Sequence, residues 1–326
     1  MVLPLLEKQS ELSVQARTTS YDTPMGSLAK AVSQFGNIAS ARLAAPGAAA
    51  NSSRGILKGS RANKQGLSLL LDGTLKAGHD MKTFGLGTAA SLANVGRYAR
   101  FTASMHHVYG TMERSFDAST SPVIVPVWQR FGESLRREPS LALDLADVSS
   151  ASAHPMTPAT EAYCVAIQDA AARDEADGGG RLIGHLYCRC ATSTATSPLS
   201  RPPVMLPTAL VPACRYFADL FGGQALAAPT RYALAPAVLP GTPRHYDFGA
   251  FGANRRESIE ALYQSFNEAG EALGSDSARQ AVVDEANLAF EHNIRVYSEE
   301  GALWSDAAHG VANMVAGFAR AKLFGP

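Results

Sequence analysis

The residues Arg215-Tyr216-Phe217-Ala218-Asp219-Leu220-Phe221-Gly222-Gly223-Gln224-Ala225-Leu226 form an apolar helical stretch that holds one carboxylate, Asp219, and two adjacent glycines. Glycines inside an apolar helix cost about 1 kcal/mol each relative to alanine, so a close approach to the backbone has to repay them. Two things can make that approach: a flat or bulky ligand, or another helix crossing at short range. Elsewhere, His79 in Lys76-Ala77-Gly78-His79-Asp80-Met81 is a potential metal ligand, since neutral imidazole is the commonest side-chain donor. A lone histidine is more often a surface or capping residue. Cys164, Cys188, Cys190 and Cys214 contain one close pair, but neither a second pair nor nearby histidines complete a zinc site. They read as buried or reduced thiols.

The elements that must position these groups are helical. Ala, Leu, Glu and Arg dominate after about residue 70, few windows alternate with period two, and 46% of the 326 residues are hydrophobic, enough for a sizeable core. The fold class expected is all-α, a single-domain multi-helix bundle over 67–300. The net charge is zero, so no nucleic-acid partner is indicated. No run of apolar residues is long enough to span a membrane.

One amphipathic segment runs from Leu67 to Phe84 and ends at the break Gly85-Leu86-Gly87. Ser91 or Asn94 then caps a helix through Tyr98, Phe101, Met105, Val108, Tyr109 and Met112. Further helices are expected over Val127 to Leu135, Ala159 to Arg173, Arg255 to Leu273 and Ser277 to Glu300, with a short helical turn at Leu141 to Val148. Ala227 to Ala253 reads as a loop excursion, and 301–326 as a tail or weak helix with three glycines after Gly301.

Two segments do not fit a bundle. From Thr23 to Leu71 there is no Asp or Glu, while Lys30, Arg42, Arg54, Lys58, Arg61 and Lys64 sit among small residues. That composition marks 1–66 as a disordered leader of the organelle transit-peptide kind, with a plastid as the expected destination and a mitochondrion as the alternative. Cys190 to Arg215 is rich in Pro, Ser and Thr and cannot continue a helix. It reads as an insertion at 190–215, flanked by Cys-Arg on both sides, consistent with a retained intron.

With that insertion set aside, His185-Leu186-Tyr187-Cys188-Arg189 joins Tyr216-Phe217-Ala218-Asp219-Leu220-Phe221-Gly222-Gly223-Gln224. The joined text resembles the distal helix of heme oxygenases, His-x-Tyr-x-Arg-Tyr-x-Gly-Asp-Leu-Ser-Gly-Gly-Gln, with Ala218 where the family has glycine. Met105 to Glu113 is similar to the family's aromatic-rich helix, and Val282 to Ile294 to its last helix. The resemblance implies that His79 holds heme iron, that Lys76 lies near a propionate, and that Gly222 and Gly223 let the helix bend over the ring. It also implies that Asp219 and Tyr109 order the water that delivers protons.

An alternative alignment places Asp72 where the iron ligand should be. The propionate-clamping positions, basic in the family, are Glu260 and Gln264 here, with Arg255 and Arg256 about a turn upstream. A carboxylate there would repel a propionate. The implied activity is oxidative opening of heme to biliverdin, carbon monoxide and ferrous iron. Heme would be both substrate and cofactor, with ferredoxin or a reductase as the electron-donating partner. The rival expectation is a relative of the same fold that has lost this chemistry.

Overall fold

The computed structural model describes residues 60–77, 81–148, 154–190, 224–235, 241–251 and 254–324. Among the described residues there are helices and short 3-10 turns and no strand, so the all-α class holds. The helices are α1 (Gly66–Ala77), α2 (Met81–Ser91), α3 (Val95–Ala118), α4 (Val125–Leu135), α5 (Glu138–Val148), α6 (Pro158–Asp177), α7 (Arg181–Cys190), α8 (Gln224–Leu234), α9 (Arg255–Ala272), α10 (Asp276–Ser298) and α11 (Leu303–Phe324).

Local chemistry sets most of the boundaries. The Asn94 side chain accepts the Arg97 amide at 2.8 Å and starts α3. Thr157 caps α6, Pro158 fills its first turn, and Gly178 ends it in the left-handed region at φ 70°. Ser275 accepts the Ala278 amide at 3.1 Å and starts α10. The apolar stripe of α3 buries Met105, Val108, Tyr109, Met112 and Phe116 in a main core shared with α1, α4, α6, α7, α9 and α10. Cys164 and Cys188 are buried thiols in that core.

Four expectations need correction. First, Gly85-Leu86-Gly87 does not break a helix, because α2 runs through it. The reason is tertiary: a Cβ at Gly87 would lie 2.1 Å from the Tyr297 ring, so the glycine makes room for an aromatic side chain of α10. Second, the segment after Ala227 is helical to Leu234 despite Pro229, and α11 covers it. Third, α5 is a three-turn helix beginning at Glu138. Buried Glu113 accepts the amides of Arg137 at 2.6 Å and Glu138 at 3.1 Å, satisfying donors that a helix start leaves open. Fourth, of the two alternatives for 301–326 the tail falls and the helix holds: α11 has 22 residues and packs against both α2 and α8.

The leader boundary also moves. Residues 60–66 belong to the packed unit, with Ala62 buried and a 3-10 turn over Ala62–Lys64. The earlier part of the leader and the Pro-rich insertion after Cys190 lie outside the described residues. No described helix is long and apolar enough to cross a membrane.

Candidate functional site

α7, the helix carrying His185, crosses α10 at very short range. A Cβ at Gly184 would lie 2.6 Å from the Val282 carbonyl oxygen and 2.8 Å from the Ala286 nitrogen, so the two backbones touch there. The next residue, His185, is fully buried, and its Nε2 lies 3.0 Å from Glu285 Oε1. Arg173 of α6 donates to the other carboxylate oxygen at 2.7 Å. Burial works to raise the Glu285 pKa, yet the histidine and arginine hold it below its ordinary 4.5.

Beside this pair, the His292 ring stacks on Tyr163 at 5.2 Å with the planes 10° apart. Desolvation, with the charges of Arg295 and His185, lowers the His292 pKa from 6.5. Asn293 donates to Tyr163 Oη at 3.2 Å, to Cys188 Sγ at 3.2 Å and to the Ala289 carbonyl at 2.9 Å. Sequence analysis placed His185 and Cys188 in the text that resembles the distal helix and Glu285, His292 and Asn293 in the run that resembles the last helix, without joining them in a site. The signal available was a histidine at a helix position flanked by buried Leu182 and Leu186, where an apolar residue would ordinarily sit.

The second edge joins α1, α7 and α9. Tyr187 of α7 donates to Asp72 of α1, and Asn63 Nδ2 reaches the same carboxylate at 3.4 Å. Asn267 of α9 accepts the Ser68 amide at 2.9 Å and donates to the Ala62 carbonyl at 2.8 Å. Glu260 accepts the Arg61 amide at 3.0 Å and the Ala62 amide at 2.9 Å. Partial burial tends to raise the Glu260 pKa, but Ser60, these two amides and the charge of Arg256 bring it below 4.5.

Of the residues the sequence singled out, Tyr109 is buried in the main core on α3, 2% exposed. Lys76 lies in the last turn of α1, and its side chain is outside the described residues. His79, Asp219, Gly222 and Gly223 also lie outside them. His79 follows the end of α1 by two residues, and Gly223 immediately precedes α8. His106 Nε2 lies 2.9 Å from Glu138 Oε1 and ties α3 to the start of α5. Among the described residues no group of three or more His, Cys, Asp or Glu side chains could hold a metal ion.

The family model described as heme oxygenase matches residues 86–193, which span α3 to α7 and most of α2. Over that stretch, about a third of its length, the chain resembles heme oxygenases. Heme oxygenase 1 of Pongo abelii is 28% identical over 202 residues, 60% of this chain and 57% of that protein. Heme oxygenase 1 of Homo sapiens matches with the same figures. The chain thus aligns with little more than half the length of these relatives.

The fold agrees with solved family structures. Heme oxygenase-2 from Synechocystis, determined in complex with heme and NO, superposes with a TM-score of 0.53 at 18% identity, covering 79% of this chain and 92% of that one. The heme oxygenase of Leptospira interrogans superposes with a TM-score of 0.50 at 20% identity, covering 72% of this chain and all of that one.

Whether heme suits the residues present has two answers. The interior offers a buried phenol, Tyr109, on an apolar wall that includes Met105 and Met112. The α1–α9 edge offers carboxylates instead of cations: Asp72 and Glu260 both accept hydrogen bonds from the chain's own donors. Arg256 lies on the exposed side of α9, and the Arg255 side chain is outside the described residues. The described interior is thus a packed apolar wall, and the α1–α9 edge does not suit the acidic side chains of a porphyrin.

Proposed function

We propose that the chain binds heme and opens its ring oxidatively, yielding biliverdin, carbon monoxide and ferrous iron, with electrons from ferredoxin or a reductase. The observation that carries this reading is the order of its parts in a chain that resembles heme oxygenases and shares their fold. A histidine follows α1, a buried tyrosine sits mid-α3, and α7 leads toward an aspartate and two glycines before α8. Heme, when bound, supplies both the iron that activates oxygen and the carbon that is oxidised.

The chain's part is to hold and to orient. His79 would ligate the iron through imidazole nitrogen and leave the other face open. Asp219 would accept and pass protons through water, and the Tyr109 hydroxyl, excluded from bulk solvent, would fix the direction of that water. Lys76 would face an acidic substituent. Gly222 and Gly223 would let the backbone approach the ring without a side chain between. The acid-free composition from Thr23 to Leu71 supports a plastid as the compartment, or a mitochondrion.

A second reading, a non-catalytic relative with a binding or structural role, is favoured by one observation: Glu260, where the resemblance calls for a cation, and Asp72, where an alternative alignment places the iron ligand, are both engaged by protein donors. Titrating the full chain with hemin separates the two. The oxygenase reading expects a Soret band of a histidine-ligated heme, its loss in His79→Ala, and biliverdin absorbance after reductant and oxygen are added. Stoichiometric binding without biliverdin, or no binding, selects the non-catalytic relative.

A further inference from the structure

α11 is apolar on both sides. Its inner side is seated on α2 and α8: Gly310 lies against the Ala89 carbonyl and Gly317 against the Tyr232 carbonyl, while Asn313 donates to the carbonyls of Leu92 at 3.0 Å and Ala93 at 2.8 Å. Buried Arg97 pairs with Asp306 and holds the start of the helix to α3. The opposite side carries Trp304, 64% exposed, and Leu323, 76% exposed. Between them lie exposed Ala308, Ala312 and Ala319 and half-buried Val315. A helix that is apolar all round is ordinarily covered all round.

At about 3.6 residues per turn these six positions share one face, and their order has a symmetry. Trp304 with Leu323, Ala308 with Ala319, and Ala312 with Val315 are each centred on the same point, between Asn313 and Met314. Two copies of the helix laid antiparallel about that point bring Trp304 level with Leu323 of the second copy, and Ala308 level with Ala319. The alanines let the axes approach to about 8 Å, the short end of helix packing distances. The large side chains stand at the two ends, where crossing helices diverge and leave room for them.

Charge does not oppose this pairing. Asp306 is engaged by Arg97 on the inner side, and Arg320 donates to the Ala235 carbonyl at 3.5 Å. Lys322 falls at the end of the face, level with Ser305 of a second copy, and its side chain lies outside the described residues.

We propose that this face is the contact through which two copies of the chain pair, α11 against α11, about a twofold axis between Asn313 and Met314. An isologous contact requires a patch complementary to itself, and the residue order supplies one. A lipid surface is served less well, because interfacial helices carry a polar face rich in Lys and Arg, and α11 has only Arg320 and Lys322. The face is about 30 Å long and one helix wide, short of the about 800 Å² per partner of a standard complex, so the pair should be weak, half dissociated near about 10 μM. Neither the pairing nor its test depends on heme.

Sedimentation of the full chain from about 1 μM to about 1 mM should show a monomer–dimer equilibrium in that range. Ala312 is exposed, so Ala312→Glu keeps the fold while placing two carboxylates at the centre of the contact, and it should weaken pairing at least about tenfold. Trp304 emission should shift to the blue as the dimer forms. Cross-linking reads the register: Ala308→Cys mixed with Ala319→Cys should give a disulfide-linked dimer, with the unsubstituted chain as the control for native thiols. Neither variant alone should do so, because like positions lie about 16 Å apart along the axis. A chain that stays monomeric throughout, a dimer indifferent to Ala312→Glu, or self-linking of either cysteine variant would overturn the proposal. So would a monomer whose Trp304 emission is already blue at every concentration, which would assign the face to another segment of the same chain. A monomer that co-sediments with phosphatidylcholine vesicles would assign it to lipid.

Discussion

Glu285 and Glu260 stand at two edges of the same core, and both carboxyls titrate below the ordinary 4.5, but they are answered in different ways. Glu285, 4% exposed, is held by the buried His185 and by Arg173, both side chains that can carry charge. Glu260, only partly buried, is held by Ser60 and by the backbone amides of Arg61 and Ala62. The first arrangement puts His185 and Glu285 out of water, where each depends on the other, while Arg173 reaches in from a half-exposed position. The second uses a carboxylate as a cap on a short turn, with water still at hand. A charge that opposes a ligand by its sign can thus be an ordinary part of the fold by its partners.

The contrast is broken most sharply at Glu285. Removing one member of a buried ionic cluster strands the rest, so Glu285→Ala should cost about 3–5 kcal/mol, read as a lower urea midpoint at constant slope. The close crossing at Gly184 leaves no room for α7 and α10 to separate and admit water. A loss under about 1 kcal/mol would mean that the pair is as replaceable as a surface bridge.

The pH dependence sharpens the same point. His292 has its pKa lowered, so as pH falls below 6.5 the unfolded chain takes up a proton that the folded chain resists. Stability should therefore decline between pH 6.5 and the lower folded-state value, by at most about 1.4 kcal/mol per pH unit for one proton. Glu285 has the opposite chemistry and the same sign: its contribution is present above 4.5 and is lost as pH falls through its depressed folded value. His292→Leu should flatten the upper part of the decline and leave the lower part. Unfolding curves from pH 7.5 to 4 would show both limbs. A variant whose upper limb matches the wild type would assign that limb to another group.

These two edges also show what a sequence discloses. The start of α3 was legible because Asn94 acts on an amide three residues away, a device that Thr157 and Ser275 repeat in the structure. The buried phenol at Tyr109 was legible from helical spacing and from family resemblance. The His185–Glu285 pair was not, since its members are 100 residues apart and neither has a local signature. α2 continues through two glycines only because Tyr297 lies against one of them, and α8 tolerates Pro229 under the cover of α11. Both outcomes are tertiary effects overriding local preference. The role of Glu260 was hidden by its partners, which sit at the end of a segment whose composition resembles a leader.

The smallest expected effect falls on Glu260. Its two amide contacts amount to a cap, so Glu260→Ala should cost about 1 kcal/mol and Glu260→Gln less, since an amide oxygen can still accept one bond. The more informative measurement is local. Hydrogen exchange should rise for the Ala62 amide and for the first turn of α1, while α7 and α10 keep their protection. If Glu260→Lys, which supplies the cation the family resemblance calls for, both loosened this turn and strengthened hemin uptake, the carboxylate would be marking a choice between fastening the chain to itself and meeting an acidic ligand. If the turn loosened and hemin uptake stayed the same, the edge at α1 and α9 would be a structural seam and no part of the binding face.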